Sequence, residues 1–171
     1  MLLPPTEEEP DWNKIVDTHA WRVAQIALRI LGCEHDAEEV AQEVFVEAFQ
    51  LHRRETIRDW TGLLVRLATL RSLDRRRTRK EAIGFGQHDV VSSRQPFHSL
   101  QESELVDWLR TQVAQLPARQ AAVITLTCFQ EMSRDEVAAA LDMTPENVSA
   151  TLYQARRRLK ESLALFDGGT K

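Results

Sequence analysis

Four glutamates in the first third of the chain could hold a metal pair, because their carboxylates recur at helical spacing. They are Glu38, Glu39, Glu43 and Glu47. A helical di-iron bundle also needs Glu-x-x-His motifs from two helices, and the sequence has none. The two cysteines, Cys33 and Cys128, form no CxxC pair, so we expect two small buried side chains and no zinc site or disulfide framework. No Ser/His/Asp or Cys/His spacing indicates catalysis. We therefore expect no metal, no cofactor and no enzyme.

Charged residues are distributed unevenly along the chain. The 171 residues carry a net charge of -4. Residues 1–52 hold eleven acidic and three basic residues, whereas residues 53–80 hold ten basic and three acidic ones. An acidic surface followed by a basic one is expected of a protein with one basic partner surface and one polyanionic partner.

Helical spacing of apolar residues predicts three helices that position these charges. The first covers about residues 12–30 and ends at Gly32. The second begins at Asp36, which we expect to be its N-cap, with Glu39 completing a capping box. After a short polar break, the third helix covers about residues 60–80 and has a strongly basic end.

The helical periodicity of apolar residues is then interrupted and returns further along the chain. Residues 81–101 contain Gly, Ser, Pro and His without a period, which predicts a linker. A helix follows over about residues 105–116, and Pro117 begins the next one. Ser133 and Glu136 form a predicted capping box for a short helix. Thr144 is expected to cap the last helix, with Pro145 at its first position.

The predicted fold class is therefore all-α, with two small helical domains joined by a flexible linker. We place the first domain at residues 11–80, the linker at 81–101 and the second domain at 102–166. In the second domain, a short capped helix, a tight turn and a longer helix predict a helix-turn-helix. The longer helix of such a unit enters the DNA major groove.

The last helix carries outward polar residues and then basic ones, which suit base edges and phosphates respectively. The expected upstream DNA contacts are Glu146, Asn147, Ser149, Ala150, Thr151, Gln154, Arg156 and Arg157. A plain three-helix bundle with a solvated polar face is the alternative for this segment. Trp60, near the start of the basic helix, could stack on a base; the alternative is a tryptophan packed in the core.

Together these segments resemble the sigma factors of the extracytoplasmic-function type. The stretches that carry the resemblance are residues 36–49 (DAEEVAQEVFVEAF), 63–68, 73–77, 116–120, 132–141 and 148–159. The resemblance covers about residues 11–165, apart from the linker. It implies a promoter-specificity subunit that binds RNA polymerase core and promoter DNA, makes and breaks no bond, and is held inactive by an anti-sigma protein in some family members.

The resemblance also implies roles for particular residues. The residues expected to face the coiled-coil clamp of the polymerase are Asp36, Glu39, Gln42, Glu43 and Phe45. The residues expected near the melted minus-ten element, where residues 51–57 would hold a flipped base, are Arg53, Arg54, Trp60, Arg71, Asp74, Arg75 and Arg76. The second domain would recognise the minus-thirty-five element and touch the polymerase flap.

The chain departs from the family pattern at several positions. Leu70 stands where Asn is frequent and Leu63 where Trp is frequent, and Ser149, Thr151 and Gln154 stand where basic residues are usual. Two alternatives follow: a stand-alone helix-turn-helix regulator, and a decoy that binds polymerase or an anti-sigma protein. The N-terminal MLLPPTEEEP lacks the features of a signal peptide, and no apolar run has membrane-spanning length, so we expect a cytoplasmic protein without membrane insertion.

Overall fold

The computed structural model describes residues 10–83 and 104–168, and every regular element within those ranges is helical. The N-terminal half (10–83) contains three helices and the C-terminal half (104–168) contains the others. In chain order they are α1 Trp12–Leu31, α2 Glu34–His52, α3 Trp60–Ile83, α4 Glu104–Gln115, α5 Ala118–Ile124, a π-helical segment Thr125–Phe129, α6 Arg134–Leu141 and α7 Pro145–Gly168. The all-α fold class is confirmed. Most of the predicted linker, and the N-terminal residues 1–9, lie outside the described residues.

The ends of α1 follow from local side-chain and backbone chemistry. The Asp11 carboxylate accepts a hydrogen bond from the Lys14 backbone N–H at 3.1 Å and caps the first turn. Gly32 has φ 66°, in the left-handed region, and its N–H donates to the Leu28 carbonyl at 2.8 Å. A glycine adopts this conformation without steric cost, so the predicted stop at Gly32 is confirmed.

The predicted start of α2 is wrong. The helix begins at Glu34 with Cys33 as its extended N-cap, and Asp36 lies inside the first turn. The left-handed Gly32 already reverses the chain, so two residues suffice to connect α1 to α2. Asp36 is favourable there because a carboxylate in the first turn faces the positive end of the helix dipole.

Asp59 caps α3 through the backbone of Gly62, three residues further along the chain. The Gly62 backbone N–H donates to Asp59 Oδ1 at 2.9 Å. A Cβ atom at Gly62 would lie too close to the Asp59 carboxylate, so a larger residue at this position would require that side chain to shift. Further along α3, the buried hydroxyls of Thr69 and Ser72 donate to the carbonyl four residues earlier, at 2.8 and 2.7 Å.

The helix-turn-helix forms as predicted from its capping residues. The Ser133 hydroxyl accepts from the Glu136 N–H at 3.3 Å, and the Glu136 carboxylate accepts from the Ser133 N–H at 2.7 Å. Asp142 follows α6 with φ 52° and makes the tight turn. The Thr144 hydroxyl then accepts from the Asn147 N–H at 3.2 Å, as expected for the cap of α7.

Two details of the C-terminal half differ from the predictions. The helix after Pro117 is not uniform, because its backbone widens to π-helical hydrogen bonding from Thr125 to Phe129. Cys128 lies on this segment and is exposed, while Cys33 is half-buried, so the expectation that both cysteines are buried is wrong.

One hydrophobic cluster extends through both halves. Ile26 and Ile30 of α1 and Leu64 of α3 lie in the same buried cluster as Val123 of α5 and Leu126 of the π-helical segment. A second, smaller cluster is local to the C-terminal half. The two predicted domains therefore pack directly on each other. No helix within residues 10–83 and 104–168 is long and apolar enough to cross a membrane.

Candidate DNA-binding and partner surfaces

The acidic face of α2 lies along the basic face of α3, and the two helices run in opposite directions. Arg71 binds Glu47 at two points, with Nε to Oε2 and Nη2 to Oε1 both at 2.7 Å. Its Nη1 also donates to Asp74 Oδ2 at 3.1 Å. Hydrogen bonding from Arg71 holds the pKa of Glu47 below its ordinary value, against the opposing effect of burial.

Arg75 continues this arrangement one turn further along α3. Its Nη1 donates to Glu39 Oε2 at 2.5 Å and its Nη2 to Glu43 Oε1 at 2.6 Å. Arg79 reaches Asp36 Oδ2 at 3.4 Å. The hydrogen bond from Arg75 is the largest cause of the lowered pKa of Glu39. We call these carboxylates of α2 and arginines of α3 the ion-pair ladder: Asp36, Glu39, Glu43, Glu47, Arg71, Arg75 and Arg79.

The ion-pair ladder joins residues that were assigned to different partners. Asp36, Glu39 and Glu43 were expected to face the polymerase, whereas Arg71 and Arg75 were expected near DNA. The structure places these two sets against each other. No partner contact was predicted for Glu47, although it continues the spacing of Glu39 and Glu43 by one further turn.

The exposed face of α2 beside the ladder is partly apolar. Gln42 is exposed, and Val46 and Phe49 are 57% and 43% exposed. Phe45, expected to face the polymerase, is half-buried against the core. The sequence interpretation missed Val46 as a candidate contact. Its position outside the apolar stripe of α2 is the signal that could have revealed it.

Four aromatic rings surround the turn that follows α2. The Trp12 ring lies 5.0 Å from Phe49 and 5.2 Å from Trp60, and the His52 ring lies 5.7 Å from Trp60, between ring centroids. The two Trp12 contacts are edge-to-face, an arrangement that stabilises packed aromatic groups. Trp60 is thus half-buried in a cluster, beside the exposed turn that carries Arg53 and Arg54.

Arg76 does not join the ion-pair ladder. Its Nη1 donates to the Ile30 carbonyl at 3.0 Å and its Nη2 to the Leu116 carbonyl at 2.8 Å. Ile30 belongs to α1 and Leu116 to the connection between α4 and α5. A side chain expected near DNA therefore connects the two halves of the chain.

The exposed side of α7 carries the predicted upstream contacts. All are exposed except Thr151, which is half-buried; they are Glu146, Asn147, Ser149, Ala150, Thr151, Gln154, Arg156 and Arg157. An open groove of about 510 Å³ is lined by four of them (Asn147, Ala150, Thr151 and Gln154) together with Arg119, Asp142, Met143 and Thr144. Arg119 is exposed at this groove from outside the helix-turn-helix, and the sequence interpretation did not assign it a DNA contact.

Three side chains of α7 already have partners within the chain. Gln154 Oε1 accepts from Gln120 Nε2 at 3.2 Å. Arg157 Nε donates to Glu161 Oε1 at 2.9 Å. Arg156 Nη2 lies 3.9 Å from Cys128 Sγ. Asn147 differs in that its described hydrogen bond comes from the backbone, which leaves the cap independent of its side chain.

The fold and these surfaces define a helical protein with a helix-turn-helix in its C-terminal half and an acidic helix paired with a basic helix in its N-terminal half. Residues 15–82 match the family described as Sigma-70 region 2, and residues 107–159 match Sigma-70, region 4. The chain belongs to this family, in its extracytoplasmic-function group. Sigma factors are transcription-initiation factors.

Two named relatives agree with this assignment. The chain is 30% identical over 170 residues to the ECF RNA polymerase sigma factor SigE of Mycolicibacterium smegmatis, covering 94% of this chain and 65% of the relative. It is 26% identical over 162 residues to the ECF RNA polymerase sigma factor SigW of Bacillus subtilis, covering 87% of each.

Two solved structures share the fold. The sigma factor RpoE, in complex with the anti-sigma factor NepR from Bartonella quintana, has a TM-score of 0.74 at 18% identity, covering 90% of this chain and 97% of that one. CnrH, in complex with the cytosolic domain of CnrY, has a TM-score of 0.63 at 23% identity, covering 93% and 89%.

Proposed function

We propose that this protein directs RNA polymerase core to particular promoters in the cytoplasm and assists their melting, as a binding protein and not as an enzyme. The observation that carries the proposal is the exposed groove beside α7, on the same chain as a partly apolar α2 face and a basic α3. Residues 11–80 would bind the polymerase and the minus-ten element. Residues 102–166 would bind the minus-thirty-five element.

The groove beside α7 supports recognition of the upstream element. Asn147 and Gln154 can exchange hydrogen bonds with base edges in a major groove, and Arg119 can bind a phosphate across the groove. The uncharged Ser149 and Thr151 limit the electrostatic contribution of this helix. We therefore expect weak binding of the free chain to upstream DNA, with polymerase supplying the remaining affinity.

The polymerase contact is proposed on the outward face of α2. Gln42 and Val46 lie at its centre, and Glu43 lies at its edge, 51% exposed although paired with Arg75. A small apolar centre with charge at its rim is the usual composition of a protein interface. Phe45 would support this face from below, because it packs against the core.

The ion-pair ladder suggests how the two partners are linked. A basic polymerase surface would compete with Arg71 and Arg75 for the carboxylates of α2. The arginines released in this way become available to phosphates at the fork. The proposal predicts that polymerase binding increases the affinity of the N-terminal half for melted DNA.

The experiment is binding of the purified chain to bacterial core RNA polymerase at moderate salt, for wild type and three variants. Glu43→Lys and Val46→Glu should each weaken binding at least tenfold. Arg75→Gln is the control, because it breaks the ion pair of Glu43 while leaving its carboxylate in place. Binding by Arg75→Gln should equal or exceed wild type. Unchanged binding by both Glu43→Lys and Val46→Glu would contradict the assignment of this face.

A decoy function is the second candidate, and the departures at Leu70 and Ser149 favour it. A decoy would bind polymerase or an anti-sigma protein without starting transcription at a promoter. RpoE, which shares this fold, was solved in complex with the anti-sigma factor NepR, so we include an anti-sigma partner in the proposal. Open-complex formation on candidate promoters separates the two functions. A stand-alone regulator is less well supported, because the uncharged Ser149, Thr151 and Gln154 give α7 little basic character for tight DNA binding without polymerase.

A further inference from the structure

Arg76 bridges two helix ends that belong to different halves of the chain. Its two terminal nitrogens donate to the Ile30 and Leu116 carbonyls at 3.0 and 2.8 Å. Ile30 lies in the last turn of α1, where carbonyls lack intrahelical partners, and Leu116 directly follows α4. A cation at such a position is favoured by the helix dipole as well as by the hydrogen bond. One guanidinium therefore stabilises the contact between the halves at two points.

Apolar and aromatic contacts surround this bridge. Val123 and Leu126 of the C-terminal half are buried in the same cluster as Ile26 and Ile30 of α1. The Arg29 guanidinium lies over the Phe129 ring, 4.4 Å from its centroid, across the same interface. The closed arrangement of the halves thus has an apolar centre and at least two cationic contacts within the described residues.

The closed arrangement is incompatible with simultaneous contact to both promoter elements. Elements centred near minus ten and minus thirty-five lie about 25 base pairs apart, or about 85 Å along B-form DNA. A compact chain of this length spans only roughly 40 Å. The halves must therefore separate before each can lie on its own element.

We propose that Arg76 is an intramolecular latch that holds the two halves of the free protein closed and is released when the halves separate on promoter DNA. This inference rests on the proposed function for its biological role, but the closed state itself is a property of the free chain. The same guanidinium would then have two mutually exclusive sets of contacts. It binds the two carbonyls when the halves are closed, and it becomes available to the DNA at the promoter fork when they are open.

The test is small-angle X-ray scattering of the full chain at low concentration. Arg76→Gln should raise the radius of gyration by at least about 3 Å over that of the control, where a compact chain would have about 16 Å. Arg77→Gln is the matched control, because it makes the same charge change at the next residue. Its side chain is 71% exposed and pairs within α3 with Asp74. The Arg76→Lys variant should also have a larger radius of gyration than the control, since an ammonium group cannot reproduce the two hydrogen bonds that the guanidinium donates from separate nitrogens.

A second variant keeps the test decisive if Arg76→Gln loses helical circular dichroism. Phe129→Ala removes the contact to Arg29 from a partly exposed position, and it should expand the chain with its helix content retained. Scattering by Arg76→Lys equal to the Arg77→Gln control overturns the latch, and expansion by Phe129→Ala alone would then show that the contact around Phe129 holds the halves together without Arg76. Polymerase binding by wild type is measured separately. Its absence would overturn the proposed function while leaving the scattering result to decide the latch.

Discussion

The Arg71 guanidinium of α3 donates two hydrogen bonds, each 2.7 Å long, to the Glu47 carboxylate of α2. This two-point geometry fixes the relative position of the helices more strictly than a single contact would. Glu47 lies on the same ladder as Glu39 and Glu43, so the register of α2 against α3 is set by charge as well as by apolar packing. Both helices carry surfaces assigned to external partners.

The Arg71–Glu47 pair should contribute measurably to stability. We expect a double-mutant cycle with Arg71→Ala and Glu47→Ala to give a coupling energy of about 1 kcal/mol in urea unfolding, near the upper end for partly exposed ion pairs. The Arg157–Glu161 pair, within one exposed helix face, serves as the comparison and should give about 0.3–0.5 kcal/mol. Equal values for the two pairs would show that the two-point geometry adds nothing.

The lowered pKa of Glu47 predicts a loss of stability in acid. A carboxyl group whose pKa is lower in the folded chain than its ordinary value of 4.5 binds protons more readily when unfolded. Its stabilising contribution is present above pH 4.5 and disappears as the pH falls through the folded value. Glu47→Gln should therefore show a flatter decline of unfolding free energy below pH 4.5 than wild type. Parallel curves for the two proteins would contradict the direction of this shift.

The capping box of α6 should stabilise the helix-turn-helix. Ser133→Ala removes the hydroxyl that accepts from the Glu136 N–H, and we expect a loss of about 1 kcal/mol in unfolding free energy. Ser149→Ala is the matched control, because its hydroxyl only donates to the Pro145 carbonyl within α7. That change should lie within about 0.5 kcal/mol of wild type. Thermal unfolding followed by circular dichroism compares the two.

Helix ends that depend on a single residue type could be predicted from the sequence. Gly32, Ser133 and Thr144 were predicted correctly because each acts through its own conformation or hydroxyl on the adjacent backbone. Asp36 was placed wrongly as a cap, because an acidic residue suits either the N-cap or the first turn. Only the preceding glycine turn decides between these two positions.

Features that depend on tertiary contacts could not be predicted in the same way. The ion-pair ladder requires the register of α2 against α3, and a list of charges does not contain that register. The partners of Arg76 are backbone carbonyls, which every residue possesses, so no sequence pattern distinguishes Ile30 or Leu116. The π-helical segment likewise contains no glycine or proline that would have indicated a change of backbone geometry. Residues predicted to contact external partners, such as Arg71 and Arg76, therefore have intramolecular partners that the sequence did not reveal.

Asn147 offers the cleanest test of upstream recognition, because its side chain lines the groove beside α7 without supporting the fold. Asn147→Ala should leave thermal stability and polymerase binding unchanged. It should reduce discrimination at one base pair of the upstream element by about 1–3 kcal/mol, as expected when a base-edge contact is lost. Initiation from promoters substituted singly across that element measures the effect.

Gln154→Ala should behave differently at the same surface. Gln154 accepts a hydrogen bond from the buried Gln120, whose Oε1 already has no hydrogen-bond partner among the described residues. Removal of the Gln154 side chain should therefore lower the free energy of unfolding by about 1 kcal/mol or more, in addition to changing promoter preference.

Arg158→Ala, at an exposed basic position further along α7, should instead weaken upstream binding about equally for all sequences. If Asn147→Ala also weakened binding uniformly, Asn147 would be a backbone contact and the source of base preference would have to lie elsewhere in the groove, with Arg119 the next residue to change.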